Sequence, residues 1–308
     1  MNHLPAVFYE KLFLVCYMKT VRSVQELSGP IGCFARAMTE NSHDYVFMVK
    51  DNAVFAEELF LHDEHKFAEA VPVQRKYAKF VCVDLYYGNN EGPINANVLR
   101  HIGRRSEEYR LNLWSGAVSS EWLKWACSLK RLTVMSIYRI PTYSTLQLCQ
   151  KLAEKSGFEQ LTLGPEVLQE PLMGIMITVL CQRQFRILYI KNCTVLGGLL
   201  RFWTERPQML VGKRLALLGH SAKAVGLLEG RLELCQMQES DSVVKEHLFF
   251  YRALLQKPSS LHRVNYPGAE DDNNIYISFE CKARGPDDDE SDELMMLRRT
   301  VDIRMLFA

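Results

Sequence analysis

Residues 185–195 read Phe185-Arg186-Ile187-Leu188-Tyr189-Ile190-Lys191-Asn192-Cys193-Thr194-Val195, and the apolar spacing of this stretch decides the fold. Leu188 and Ile190 are two positions apart, so they share one face of a short strand. Cys193 stands at the strand's end, where a side chain able to contact the loop backbone is needed. Val195 then points back into the core as the chain turns towards a helix.

The same beat recurs. Apolar alternations fall at Val83-Asp84-Leu85, Leu111-Asn112-Leu113, Leu132-Thr133-Val134, Leu161-Thr162-Leu163, Leu188-Tyr189-Ile190 and Leu215-Ala216-Leu217, with first residues 28, 21, 29, 27 and 27 apart. Phe158, Leu161, Leu163 and Leu168 repeat the offsets of Phe185, Leu188, Ile190 and Val195. This is the beat of a leucine-rich repeat, whose units run to about 20–29 residues. An ordinary α/β sheet has strand–helix units of similar length, and that alternative stays open at this point. The expected fold class is α/β. A short helical segment over 1–49 leads into a curved, mostly parallel, leucine-rich-repeat-like sheet over 50–260, with helices on one face. A C-terminal β region follows over 261–308, with an acidic, disordered loop at 285–294.

Composition bounds the function. Hydrophobic residues make up 48% of the 308-residue chain and charged residues 24%, enough for a sizeable core. The net charge of +1 argues against nucleic-acid binding through a large basic face. The nine cysteines include no C-x-x-C pair and mostly sit in apolar runs. That predicts buried, reduced thiols in an intracellular protein, not a disulfide framework. The apolar N-terminus is interrupted by Glu10 and Lys11 and lacks a small-residue cleavage site, so no signal peptide is expected. The run from Leu172 to Cys181 is too short to span a bilayer, and no membrane partner is expected.

In chain order, Leu4, Phe8, Leu12 and Val15 fall at helical spacing, with Pro5 suited to a first turn. Val24 to Leu27 runs into a break at Gly29-Pro30. Ile31, Phe34, Ala35 and Met38 mark a third helix. Tyr45 to Val49 reads as a short strand. From Phe80 onward strands alternate with helices. Ser119 or Ser120 caps the helix of Trp122, Leu123 and Ala126. Thr142 to Ser144 opens a helix that stops at Gly157, and Pro171 begins another. Further helices are expected at 221–228 and 240–255. Strands are expected at 261–266 and 274–281, and Val301, Ile303, Met305 and Phe307 alternate as a strand pairing with 274–281.

The N-terminal stretch resembles an F-box. Leu4-Pro5, Val7-Phe8, Leu12-Phe13 and Val24 stand in the places of that family's first two helices, and Phe34 falls at its aromatic position, usually Trp. Pro30-Ile31 replaces the usual Val-Cys pair, and no acidic residue precedes Val24. With diverged repeats behind it, and with the turn Leu27-Ser28-Gly29-Pro30-Ile31-Gly32, the chain resembles the expanded F-box-type families of nematodes. The resemblance implies a substrate-recognition subunit of a Skp1–cullin–F-box ubiquitin ligase. Leu4, Pro5, Phe8, Leu12 and Phe34 would dock a Skp1-like adaptor. The repeat region would bind an unknown protein substrate through Asp84, Asn112, Thr133, Thr162, Tyr189 and Ala216. A helical cap on a stand-alone repeat scaffold explains the same residues.

Catalytic arrangements are not evident. There is no phosphate-binding G-x-G-x-x-G or Walker motif and no G-x-S-x-G elbow. His220-Ser221 is adjacency, not geometry, and Ser221 reads as a helix cap. His62 and His65 read as a polar helix face with no third ligand nearby. The apolar settings of the cysteines raise thiol pKa values. Neither catalytic residue, metal nor cofactor is expected. An α/β enzyme, the remaining alternative, predicts a deep pocket at the carboxyl ends of the strands.

Overall fold

The structure is a computed structural model. It describes residues 5, 8–9, 12–13, 21, 23–41, 43–61, 78–86, 88, 94–103, 108–139, 141–155, 157–165, 170–191, 196–219, 232–234, 261–265, 274–281 and 300–307. The architecture is α/β, with open, mostly parallel sheet structure and helices. The chain divides into two units, Met1–Ser136 with Pro141–Gly157, and Ile137–Ile140 with Phe158–Ala308.

The first unit opens with a helical cluster. Phe8, Tyr9, Leu12 and Phe13 are helical, as are Val21, Ser23 and Val24. Gly29 takes a φ of +84°, which breaks the chain before α1 (Pro30–Asn41). Such a turn favours glycine, and proline's fixed φ suits the first helical position. Tyr9, Phe13, Val21, Ala35 and Met38 bury together against Phe80, with Val24, Ile31 and Phe34 packed onto them.

Strands β1 (His43–Lys50) and β2 (Ala53–Leu61) form an antiparallel hairpin. Its two-residue turn is Asp51-Asn52, at φ values of 51° and 59°. These are the left-handed conformations that a primed hairpin turn requires, and Asp and Asn tolerate them best among non-glycine residues. β3 (Ala78–Leu85) runs parallel to β1, and β4 (Glu108–Leu113) parallel to β3. With β5 (Leu132–Ile137) the order is β2-β1-β3-β4-β5. The sheet therefore begins at His43, around the short strand read at Tyr45 to Val49.

The helices of this unit are α2 (Ala96–Gly103), α3 (Ser120–Ser128) and α4 (Tyr143–Lys155). Of the two candidate caps, Ser119 is the one used: its Oγ accepts from the Trp122 backbone N–H at 3.4 Å. α3 buries Trp122, Leu123 and Ala126. The Trp122 indole donates to Asn52 Oδ1 at 2.9 Å, which fastens the hairpin turn to the helix.

In the second unit β6 (Gln160–Leu163), β7 (Ile187–Ile190) and β8 (Arg214–Leu218) are parallel. Leu161, Leu188 and Leu215 align across the three strands, as do Leu163, Ile190 and Leu217. All six are buried, with Phe158 and Phe185 behind them. The expected beat is therefore a physical ladder. Helices α5 (Glu170–Leu180) and α6 (Leu196–Glu205) follow β6 and β7. Lys213 is buried and donates to the Gln182 and Phe185 carbonyls at 2.7 and 3.2 Å, tying down the turn after α5. Burial lowers its pKa.

β12 (Thr300–Phe307) pairs antiparallel with β8, setting Met305 against Leu215 and Ile303 against Leu217. It also pairs antiparallel with β11 (Asn274–Cys281), as the alternation of both segments predicts. The order is β6-β7-β8-β12-β11-β10-β9, with β10 at Leu261–Asn265 and β9 at Leu232–Leu234. The C-terminal hairpin thus lies inside the order and does not end it. Three-residue β9 carries too little alternation to be read from sequence and makes a short edge.

One strand departs from its reading. β5 buries Met135 and Ile137, while Val134 is half-buried. Among the described residues, no helix is long and apolar enough to cross a membrane. Several expectations lie outside the described residues: Leu4, His62 to His65, Leu168, Cys193, Val195, His220, Ser221, the helices at 221–228 and 240–255, and the acidic loop.

Candidate functional site

Where strands β3 and β4 run out at their carboxyl ends, polar and aromatic side chains gather on one sheet face. The register pairs Asp84 with Asn112 and Cys82 with Arg110. Asn112 Nδ2 donates to Asp84 Oδ1 at 2.7 Å and to Cys82 Sγ at 3.2 Å. The Cys82 thiol donates to the same Asp84 oxygen at 3.3 Å. Burial pushes the Asp84 carboxyl above its ordinary range, and the donors Asn112, Cys82 and Trp114 hold part of that rise back. Burial, reinforced by the Asp84 charge, pushes the Cys82 thiol well above its ordinary value. Within this network the Cys82 thiol stands as a hydrogen-bond donor to Asp84.

Alternation carries this face two positions further, to Tyr86 and Trp114. Both still pair along the sheet: Tyr86 N–H donates to the Val49 carbonyl at 2.8 Å and Trp114 N–H to the Leu85 carbonyl at 2.9 Å. Their rings stack at 6.0 Å with 6° between planes. Phe55 meets the Tyr86 ring edge-on at 5.7 Å. It arrives by a bulge: Val54 pairs with Val49 and Ala56 with Met48, leaving Phe55 as the extra residue. A bulge re-aims its side chain, and Phe55 stays 56% exposed. Burial, then the Asp84 and Glu58 charges, push the Tyr86 phenol up. At the opposite end of the face the Arg110 guanidinium lies 4.0 Å over the Phe80 ring.

The six positions expected to form one substrate face fare differently. Asp84 and Asn112 are brought into direct contact. Thr133 is buried, and its place in β5 puts it on the side of Met135 and Ile137. Thr162, Tyr189 and Ala216 do align, and the row continues through Arg304 and Ser278. That row is largely buried: only Tyr189 in it is half-buried, and Ala216 and Arg304 are enclosed. Burial raises the Tyr189 phenol, and the charges of Arg304 and Arg214 counter the rise.

Of the expected adaptor residues, Pro5 and Phe8 are exposed, Phe8 by 46%. Leu12 and Phe34 are half-buried. Phe34 stacks on Tyr9 at 5.4 Å, so it braces the cluster from within. Leu27, exposed by 50%, stands on the turn before α1. Arg36 holds that turn, donating to the Gln25 carbonyl at 2.6 Å. A Cβ on Gly32 would run into the Leu27 carbonyl oxygen, so this approach needs glycine.

Sequence reasoning passed over Phe55, Cys82, Tyr86 and Trp114. For Tyr86 and Trp114 the signal was present, since each lies two beyond a named face residue. For Phe55 there was none, because the bulge reverses its parity.

The cysteines split. Cys149 is buried, with its thiol pushed up to about 12, and burial also raises Cys127. Cys33 and Cys181 are exposed, against the expectation of buried thiols. Cys33 stands on an exposed face of α1 and Cys181 in the turn after α5, which apolar context in sequence does not reveal. In the second unit, a cavity of about 10 Å³ among Leu180, Leu188, Leu199 and Leu215 has room for about one water. Compared with family models, with curated proteins and with solved structures, the chain gives no significant match.

Proposed function

We propose that the chain is an interaction subunit with two working parts. The N-terminal helical segment, the F-box-like part, docks a Skp1-like adaptor, and the leucine-rich-repeat-like sheet binds a protein substrate. On this reading the chain performs no chemistry itself, and ubiquitin transfer happens elsewhere in the complex.

The observation that carries the adaptor half is the exposure of Phe8 and Leu27. Both stand on a cluster whose inner side is already filled by Tyr9, Phe13, Val21, Ala35 and Met38. Large apolar side chains left in solvent beside a filled core support a partner site, with Phe8 a helical anchor and Leu27 a turn anchor for a groove on the partner. The substrate half is supported by the aromatic and acidic group at the ends of β3 and β4. Raised thiols at Cys82 and Cys149 are in keeping with a non-catalytic role.

The test is capture of the full chain by a Skp1-type adaptor, beside Phe8→Ala/Leu27→Ala. Both side chains are exposed, so the variant keeps its circular dichroism spectrum and melting curve. Capture of the parent with at least tenfold loss in the variant is expected for hot-spot residues, about 1.4 kcal/mol or more. No capture of the parent overturns the adaptor half.

A second reading is a stand-alone scaffold whose helices only cap the sheet. It is favoured by Phe80, a β3 residue, sharing the core of the helical cluster. Its mark would be unchanged partner binding when Phe8 and Leu27 are replaced.

A further inference from the structure

The row Phe55–Tyr86–Trp114 names the chemistry of the substrate. We propose that this row, bordered by Asp84 and Glu58, is a docking surface for an arginine-bearing segment of a protein partner. The guanidinium lies against the rings and the carboxylates supply the opposing charge. The proposal rests on the substrate half of the reading above and is independent of the adaptor half.

Three separate devices bring the rings together: the β1–β2 bulge for Phe55, and the continued pairing of Tyr86 and Trp114 beyond their strands. The rings hold defined angles of 73° and 6° to one another, yet Phe55 keeps more than half its surface in solvent. A core cluster would bury it. Aromatic faces attract cations, and guanidinium more often than ammonium, because it is planar and weakly hydrated. Charge points the same way. Asp84 and Glu58 both act on the Tyr86 phenol. Lys50 aligns beside Tyr86, but its stem runs to Gly88, next to Asp51. The chain supplies its own example at the other end of this face, where Arg110 lies on Phe80. An acidic partner would meet the like charge of Glu58 beside the Tyr86 ring.

The test uses the full chain labelled with ¹⁵N-tryptophan, which gives four indole signals. Trp114 is assigned by the signal missing from Trp114→Phe. The probes are acetyl-Gly-Arg-Gly-Arg-Gly-amide and its lysine and glutamate counterparts. The arginine peptide is expected to shift the Trp114 indole saturably and the glutamate peptide to leave it in place. Phe55→Ala and Glu58→Gln, both at exposed or half-exposed positions, are expected to weaken binding by about fivefold each. Their remaining indole signals report that the fold is kept.

No shift with the arginine peptide overturns the proposal. So does an equal shift with the glutamate peptide, or binding unchanged in both variants. Equal affinity for the lysine peptide overturns the choice of guanidinium. Peptide binding that survives Phe8→Ala/Leu27→Ala, in a chain that captures no adaptor, would sink the adaptor half and leave this proposal standing.

Discussion

Asp84 is held in its place at a cost. Its raised carboxyl means that the folded chain binds more protons than the unfolded chain in the window just above the ordinary aspartate range. Stability therefore falls as pH climbs from about 4 through the folded pKa. Asp84→Asn keeps an acceptor for Asn112 and removes the buried charge. We expect a melting temperature above the parent's at pH 7, with the gain shrinking towards pH 4. A loss of equal size at both pH values would show that Asp84 is a structural acceptor. The thiols offer a second check at this scale. Cys33 and Cys181 should be alkylated by iodoacetamide in the native state. Cys149, buried with its thiol near 12, should react only on unfolding. Mass spectrometry of the native chain reads this directly, and early modification of Cys149 would contradict its burial.

At the scale of single elements, end chemistry and turn chemistry decide what periodicity leaves open. α3 could begin after either serine by pattern, and the extended backbone of Ser119, with φ −65° and ψ 152°, makes it the cap. Ser119→Ala should cost about 1 kcal/mol by chemical denaturation, whereas Ser120→Ala, an exposed position inside the helix, should cost little. Gly32 sets the approach of α1 to the preceding turn. Gly32→Ala is expected to displace Leu27 and weaken adaptor capture as strongly as Leu27→Ala. Retained capture in Gly32→Ala would mean that the turn yields without moving the exposed leucine. The β1–β2 hairpin was legible only in part. The apolar runs around Asp51-Asn52 were visible, but the turn's two left-handed residues and the bulge at Phe55 depend on how the strands pair.

At the scale of the whole molecule, the apolar beat does what its physics requires in five of its six strands. Residues two apart share a face, and strands about 27 residues apart bring equivalent pairs side by side. The centre of the second unit shows it: Leu188 is enclosed between Leu161 and Leu215. Leu188→Ala should therefore cost about 2–5 kcal/mol, read as a lowered denaturation midpoint. Removing residues 300–308 takes β12 from between β8 and β11. The truncated chain should be insoluble, because two ladders of strand hydrogen bonds lose their partner at once. Soluble, cooperatively melting truncated chain would show that β8 tolerates an open edge. The alternation of apolar residues determined by itself that the chain is α/β, where the repeat strands from β3 to β8 fall, and that 274–281 pairs with 300–307. These are properties of period and local bonding, which a sequence carries in full. Only the tertiary structure decided that Thr133 turns inward, that Ala216 and Arg304 are enclosed, and that Phe55, Tyr86 and Trp114 meet beside Asp84. Burial and ring contacts depend on which elements cover a face and on where a bulge reverses parity, and neither is encoded in the spacing of one strand.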